Sequence, residues 1–452
     1  MMDRVSRPLD IRSVQPIVVG ILTSAIYFAA VTLMLRNYAA VEWGIYRIHF
    51  GSIGLDDLLA IIVFLALGGA FVPRSMASPS SLFLTICYLF IVIPAGVCLT
   101  GMDSGGNSVN RYYTMFFVLG GFIIASLICK KGQENVEEGR QPLPILGPFL
   151  LVCAGLLLVF LYLRFGSVMS FASLDNLYEQ RERGSAQNFI EGYAQTYSQF
   201  VFSTGLVAFG LYRKNFAYLA VGLTGSIMNY AITAEKSGLM YPAFILALYL
   251  ALSSGRKILS STYFVMAALS VILFVSALTW EQSDISDFIC WYFGTRTVLT
   301  PGIFIAHYTD FFYDRGYTYF SHIRGLNFFL PIPVQYLSEV RWPSLGLIVG
   351  EDFIGFPKLN ANASFVASDG IASLGQPGII VAFLIFAAFM RALDWAGRGL
   401  SNRLLLPLLL PIALTLTNGS VLTVLTSIGG IFWILILRFA FSTPVSDTTN
   451  SP

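Results

Sequence analysis

Apolar runs of about 20 residues alternate with short polar connections along most of the chain, and two of the connections are long. A bilayer core about 30 Å thick takes about 20 apolar helical residues at about 1.5 Å each. On that rule the runs at roughly 16–35, 56–73, 81–101, 113–129, 143–163, 198–212, 216–233, 238–252, 259–279, 376–395, 404–418 and 420–441 read as about twelve spans. Those at 198–212, 238–252 and 404–418 fall short of the usual length of about 17. The pattern predicts an all-α polytopic membrane protein. Its expected organisation is helices 1–5 over 1–163, a first long loop at 164–197, helices 6–9 over 198–279, a large loop domain with interfacial helices at 280–375, helices 10–12 over 376–441, and a tail at 442–452.

Lys and Arg set the orientation. Alternate connections carry Arg74; Lys130, Lys131 and Arg140; Arg213 and Lys214; Arg256 and Lys257; Arg391, Arg398 and Arg403; and Arg438. With the N-terminal Arg4, Arg7 and Arg12, this places both termini in the cytoplasm and both long loops outside. The first apolar run lacks a small-residue cleavage site and is expected to be retained as a span. Within the large loop, Phe288 to Phe312 is apolar and aromatic, broken by Arg296, Pro301 and Gly302. A thirteenth span there would invert everything after it, so an interfacial or re-entrant helix is expected. Arg324 to Ser344, rich in prolines and aromatics, suits an irregular layer lying on the membrane.

Composition agrees with the pattern. Of the 452 residues, 56% are hydrophobic and 12% charged; a soluble domain carries about 25% charged residues. A net charge of +2 gives no ground for nucleic acid. The five cysteines lie in or beside apolar runs without metal or redox spacing, so neither metal nor disulfide is expected. No nucleophile motif, phosphate loop or nucleotide fingerprint occurs, and no cofactor is expected.

Four groups of residues can carry chemistry. Tyr178 to Tyr197 holds Arg181 and Arg183 among Glu179, Glu182 and Glu191; arginine's planar fork suits phosphate, and a solvated helix with Glu/Arg pairs explains the same pattern. Glu235 and Lys236 sit in a tight turn between apolar runs, either as a structural ion pair or as charges kept near the membrane for function. Arg296 stands inside an aromatic run, either snorkelling or binding an anionic headgroup. The end of the large loop offers Glu351, Asp352, Asn360, Asn362 and Asp369, a general base and sugar contacts or simply caps and turns. His307 and His322 are candidate substrate contacts, with structural roles the plainer reading.

These features resemble the Wzy-type polymerases of O-antigen and related bacterial polysaccharides. Arg181 and Gly192 stand in an R-x10-G spacing similar to a periplasmic motif of that family, while no R-x15-G partner starts at Arg296, Arg315, Arg324 or Arg341. The resemblance implies a membrane-embedded, GT-C-like glycosyltransferase of the bacterial inner membrane, active at its periplasmic face. It would move a growing glycan from undecaprenyl pyrophosphate to the next lipid-linked repeat unit without metal or nucleotide. It implies that Arg181, Arg183, Arg296, Arg324 and Lys236 clamp the pyrophosphate and that Asp369 or Glu235 deprotonates the acceptor. Asn360, Asn362, Trp291, Tyr313, Tyr317 and His322, with Tyr308 and Tyr319, would contact sugar. The implied partners are an undecaprenyl-pyrophosphate-linked oligosaccharide and the lipid bilayer; a chain-length regulator protein stays open. An O-antigen ligase, or a non-enzymatic oligosaccharide flippase, are the competing readings.

Overall fold

The computed structural model describes residues 11–103, 105, 107–130, 139–171, 177–323, 326–336, 345–356 and 359–442. They form an almost wholly helical bundle, and their only strands are the two-residue pair Gln141–Pro142 with Phe441–Ser442. Among the described residues seven helices are long and apolar enough to cross a membrane: Gln15–Glu42, Pro79–Gly101, Ser108–Lys130, Leu146–Val168, Phe216–Thr233, Thr262–Gln282 and Gln376–Ala396. Ser237–Ser253, Asn402–Thr415 and Gly430–Phe439 are apolar but shorter. Seven rather than about twelve meet the length criterion because several apolar runs are cut by turns or prolines. Pro407 and Pro411 lie within Asn402–Thr415, and Gly429, with φ of 93°, separates Val421–Thr426 from Gly430–Phe439.

The helices differ in what they bury. The apolar window of Pro79–Gly101 is 100% buried, whereas that of Leu146–Val168 is 28% buried. The first is therefore the axis of the bundle, and the second presents a broad face outward. Val152, Leu156, Val159 and Leu163 are all exposed on it. In water such a face would drive aggregation, whereas lipid solvates it at no cost.

The bundle has two unlike ends. At one end the connections are short and basic. Met76 N–H donates to Ser260 O, and Asn402 Nδ2 donates to Ala77 O. Arg140 closes this end: Nη1 reaches the carbonyls of Ala396 and Arg398, and Nη2 those of Leu437, Arg438 and Phe441. Those of Ala396, Leu437 and Arg438 are in the last turns of their helices, where carbonyls lack intrahelical partners and a guanidinium satisfies them while complementing the dipoles.

The opposite end carries the long segments. A helix built from Asp284–Phe288, a π-helical stretch Ile289–Leu299 and Thr300–Arg315 both starts and finishes there. At its start Asp287 accepts from Tyr38 Oη at 3.0 Å, beyond the end of Ile11–Met34. At its finish Asp310 meets Arg111, in the first turn of Ser108–Lys130. Between them it crosses the axial helix so closely that a Cβ on Gly302 would lie 2.3 Å from Pro94 O. Only glycine allows that contact. The stretch Phe288 to Phe312 is thus helical throughout, packs against the axial helix, and has both its ends at the long-segment end.

Candidate functional site

The site forms where three segments far apart in sequence meet at the long-segment end. The first is the turn after Phe216–Thr233. Ala234 adopts left-handed φ of 51°, its N–H returns to Tyr230 O, and the chain reverses into Ser237–Ser253. Glu235 and Lys236 are thereby held at the rim. The second is the short helix Leu177–Arg183. It is docked by Gln180, whose Nε2 donates to Val168 O and Ala231 O at 2.8 Å while its Oε1 accepts from Ser170 Oγ. The third is the helix of 284–315, which supplies Trp291, Tyr292 and Arg296.

Lys236 Nζ lies 4.6 Å from the Trp291 ring and 5.3 Å from Tyr292. Arg296 is sandwiched, 5.2 Å from Trp291 and 5.4 Å from Trp43. Phe288 stacks on Tyr292 with ring centroids 5.7 Å apart and nearly parallel planes. Partial burial lowers the Lys236 pKa from its ordinary value, and the nearby charges of Arg296 and then Arg181 lower it further. The same two arginines oppose the burial that raises the Tyr292 phenol. Neither Lys236 nor Arg296 forms an ion pair among the described residues. Lys236 and Arg296 therefore share one aromatic-lined place, held by ring faces (each contact worth about 0.5–2 kcal/mol), with Arg181 near enough to act on Lys236. Such an arrangement is poised for a multiply charged anion with an adjoining carbohydrate or apolar part.

The other sequence candidates sort by position. Glu235 is exposed beside Lys236, and its carboxylate accepts from Gln199 Nε2 at 3.4 Å. Asp369 is 1% exposed; its Oδ2 accepts from Val421 N–H at 2.6 Å at the start of Val421–Thr426. Burial raises its pKa to about 6 against the pull of donors at Ser420, Val421 and Leu422, and no cation acts on it. Of the two carboxylates expected as bases, only Glu235 stands with the cations, and Asp369 is a helix cap. Arg183 is exposed and paired with Glu179 one turn earlier, the solvated-face reading of that helix. Arg324 lies outside the described residues.

The expected sugar contacts divide likewise. Trp291 belongs to the cluster. Tyr317 packs on Gly375, where a Cβ would lie 2.6 Å from its ring and φ is 67°. His322 Nδ1 bonds Thr318 Oγ1 at 2.7 Å, and burial lowers its pKa to about 4. Tyr313, Asn360 and Asn362 are exposed, with the Asn360 side chain lying over Gly346. Tyr308 is buried and donates to Ala361 O, so it offers no face to a ligand. His307 is buried too, with Nε2 3.1 Å from Tyr46 O, and burial lowers its pKa to about 3.

Sequence reasoning missed Trp43 and Tyr292, ordinary aromatics until folding sets them against a cation. It also missed the buried pair of Arg111 and Asp310. Nε donates to Oδ1 at 3.1 Å, Nη2 to Oδ2, and Nη1 to Met102 O at 2.7 Å. An acid within the apolar run before Phe311 was the signal available, since a charge there demands a partner. Among the described residues no group of His, Cys, Asp and Glu has metal-holding geometry. Comparison with protein-family models, with curated proteins and with solved structures finds no match to this chain.

Proposed function

We propose that this multi-pass membrane protein is a glycosyltransferase of the Wzy-type polymerase kind, acting on a polyprenyl-pyrophosphate-linked glycan. The observation that carries the reading is the convergence of Lys236 and Arg296 on Trp43, Trp291 and Tyr292 at the loop-bearing end, with the charge of Arg181 acting on Lys236. A leaving pyrophosphate needs its developing charge neutralised where it departs, and preorganised cations are the large term in such steps. The aromatic faces suit the C–H faces of sugar rings.

In this reading an acceptor hydroxyl oxygen attacks the anomeric carbon of the donor glycan. The bond from that carbon to pyrophosphate breaks, the hydroxyl proton passes to Glu235, and the polyprenyl pyrophosphate leaves into the cationic cluster. The architecture that goes with it is GT-C-like with about twelve crossings. It adds the shorter Ser237–Ser253, Asn402–Thr415 and Gly430–Phe439, together with Leu55–Phe71 and Thr204–Arg213, to the seven long helices. The basic end would face the cytoplasm of a bacterial inner membrane, following the distribution of Lys and Arg.

The test is a deletion strain complemented with wild type or Arg296→Lys, with surface polysaccharide resolved on a gel. Arg296→Lys keeps the charge but loses the planar group held between two indoles. The expected result is loss of the long ladder, leaving single repeat units, with the variant still in the membrane. Loss of all glycan from the core in the deletion strain, with polymer accumulating on the lipid carrier, assigns ligation instead. A normal ladder in the deletion strain rejects both.

A further inference from the structure

We infer that residues 326–336 form an aromatic finger that dips into the bilayer surface beside the bundle. The segment LNFFLPIPVQY carries no charge. Phe328 and Phe329 are each 85% exposed and Val334 is 82% exposed, more than the outward-facing residues of the long apolar helices. Nothing within the described chain covers these tips, yet the base of the finger is fixed. Tyr336 Oη donates to Gly316 O at 2.7 Å, Gln335 Nε2 donates to Tyr317 O, and the Tyr336 ring packs against Phe312. A short helical turn at Leu326–Phe328 and the prolines at 331 and 333 stiffen what lies between.

The level of the finger follows from its root. Thr318 N–H and Tyr319 N–H donate to Ala372 O and Ser373 O, immediately before the long apolar helix Gln376–Ala396 begins. The root therefore lies where that helix meets the membrane face. Tyr313 and Tyr319 stand exposed beside it, the residue type that gathers at membrane–water interfaces. An uncharged, prestiffened segment bearing exposed phenylalanines at this level suits the surface of a bilayer surrounding the bundle. Its occupant is lipid, entered to a depth on the order of 5–10 Å at the headgroup–acyl boundary. This inference does not depend on the chemistry proposed for the cationic cluster.

The experiment uses the full chain in phosphatidylcholine vesicles, with Phe328→Trp and Phe329→Trp read as difference emission against wild type and its six tryptophans. Because both positions are exposed, the changes leave packing intact, which an unchanged thermal midpoint verifies. The expected result is loss of the added emission in vesicles brominated near the headgroup, weaker loss with bromines deep in the chains, and protection from aqueous acrylamide. Strong acrylamide quenching without bromine quenching overturns the inference, placing the finger in water. Protection from both overturns it as well, because protein would then cover the finger.

Discussion

Removing one member of the buried pair that fastens the 284–315 helix should cost more than any surface change in this protein. Arg111 is 2% and Asp310 6% exposed, and the two meet through a double hydrogen bond. At about 4 Å and an effective dielectric of about 20, opposite unit charges attract by about 4 kcal/mol. Asp310→Ala removes that attraction and strips acceptors from Nε and Nη2, leaving only Met102 O for a guanidinium with no access to water. The expected destabilisation is about 3–5 kcal/mol, the usual cost of an orphaned buried charge. Arg111→Met should cost a similar amount. The double variant Arg111→Met/Asp310→Leu should recover most of the loss, because well-packed apolar side chains can replace a buried pair. Denaturant titration in mixed micelles, followed by circular dichroism, measures all three. Destabilisation by Asp310→Ala below about 1 kcal/mol, the range of solvated pairs, would refute the reasoning. So would a double variant no more stable than either single one.

The remaining predictions are smaller. If the proposed function holds, Arg183→Ala should leave the polysaccharide ladder and the stability unchanged, since its pair with Glu179 is solvated; a lost ladder would bring Arg183 into the proposed clamp. Asp369→Asn should preserve both the cap to Val421 and the ladder, while removing a pH dependence. The raised Asp369 pKa contributes stability present below about 4 and lost as pH rises through about 6, so the wild type should soften over that range and the variant should not. In the proposed function, an inactive but folded Asp369→Asn would move the role of base from Glu235 to Asp369. His322 has the opposite sign. Its lowered pKa contributes stability present above about 6.5 and lost as pH falls toward about 4, worth about 2 kcal/mol between pH 7 and 5. Melting curves of wild type and His322→Gln at the two pH values check it, and equal acid sensitivity would refute it.

What the sequence disclosed followed the range of each physical signal. Hydropathy is a local sum, so the long apolar helices were legible, as was a break in the pattern from Phe288 to Phe312. Arg296 and Lys236 were legible as charges at costly depth. That Lys236 and Arg296 share one indole was not, because 59 residues of helix and turn intervene and only tertiary packing brings them together. The same limit hid Trp43, which joins from the first connection. The surroundings of Asp369 were illegible for a related reason: a carboxylate near turn glycines looks alike in sequence whether it faces a cleft or, as here, is buried against the start of Val421–Thr426. The widened turn at Ile289–Leu299 has no composition signature; within it Gly294 lies close against Met34, a contact that only the fold reveals.

The carbonyls gripped by Arg140 lie 256 to 301 residues further along the chain. During synthesis the first helices are therefore in the membrane long before their fastening exists. Earlier contacts such as that of Met76 with Ser260 form first at the basic end, and the full grip of Arg140 comes only when Phe441 arrives. A fusion that holds back the last helix would leave a fully inserted protein unlatched, prone to degradation without having lost a single span.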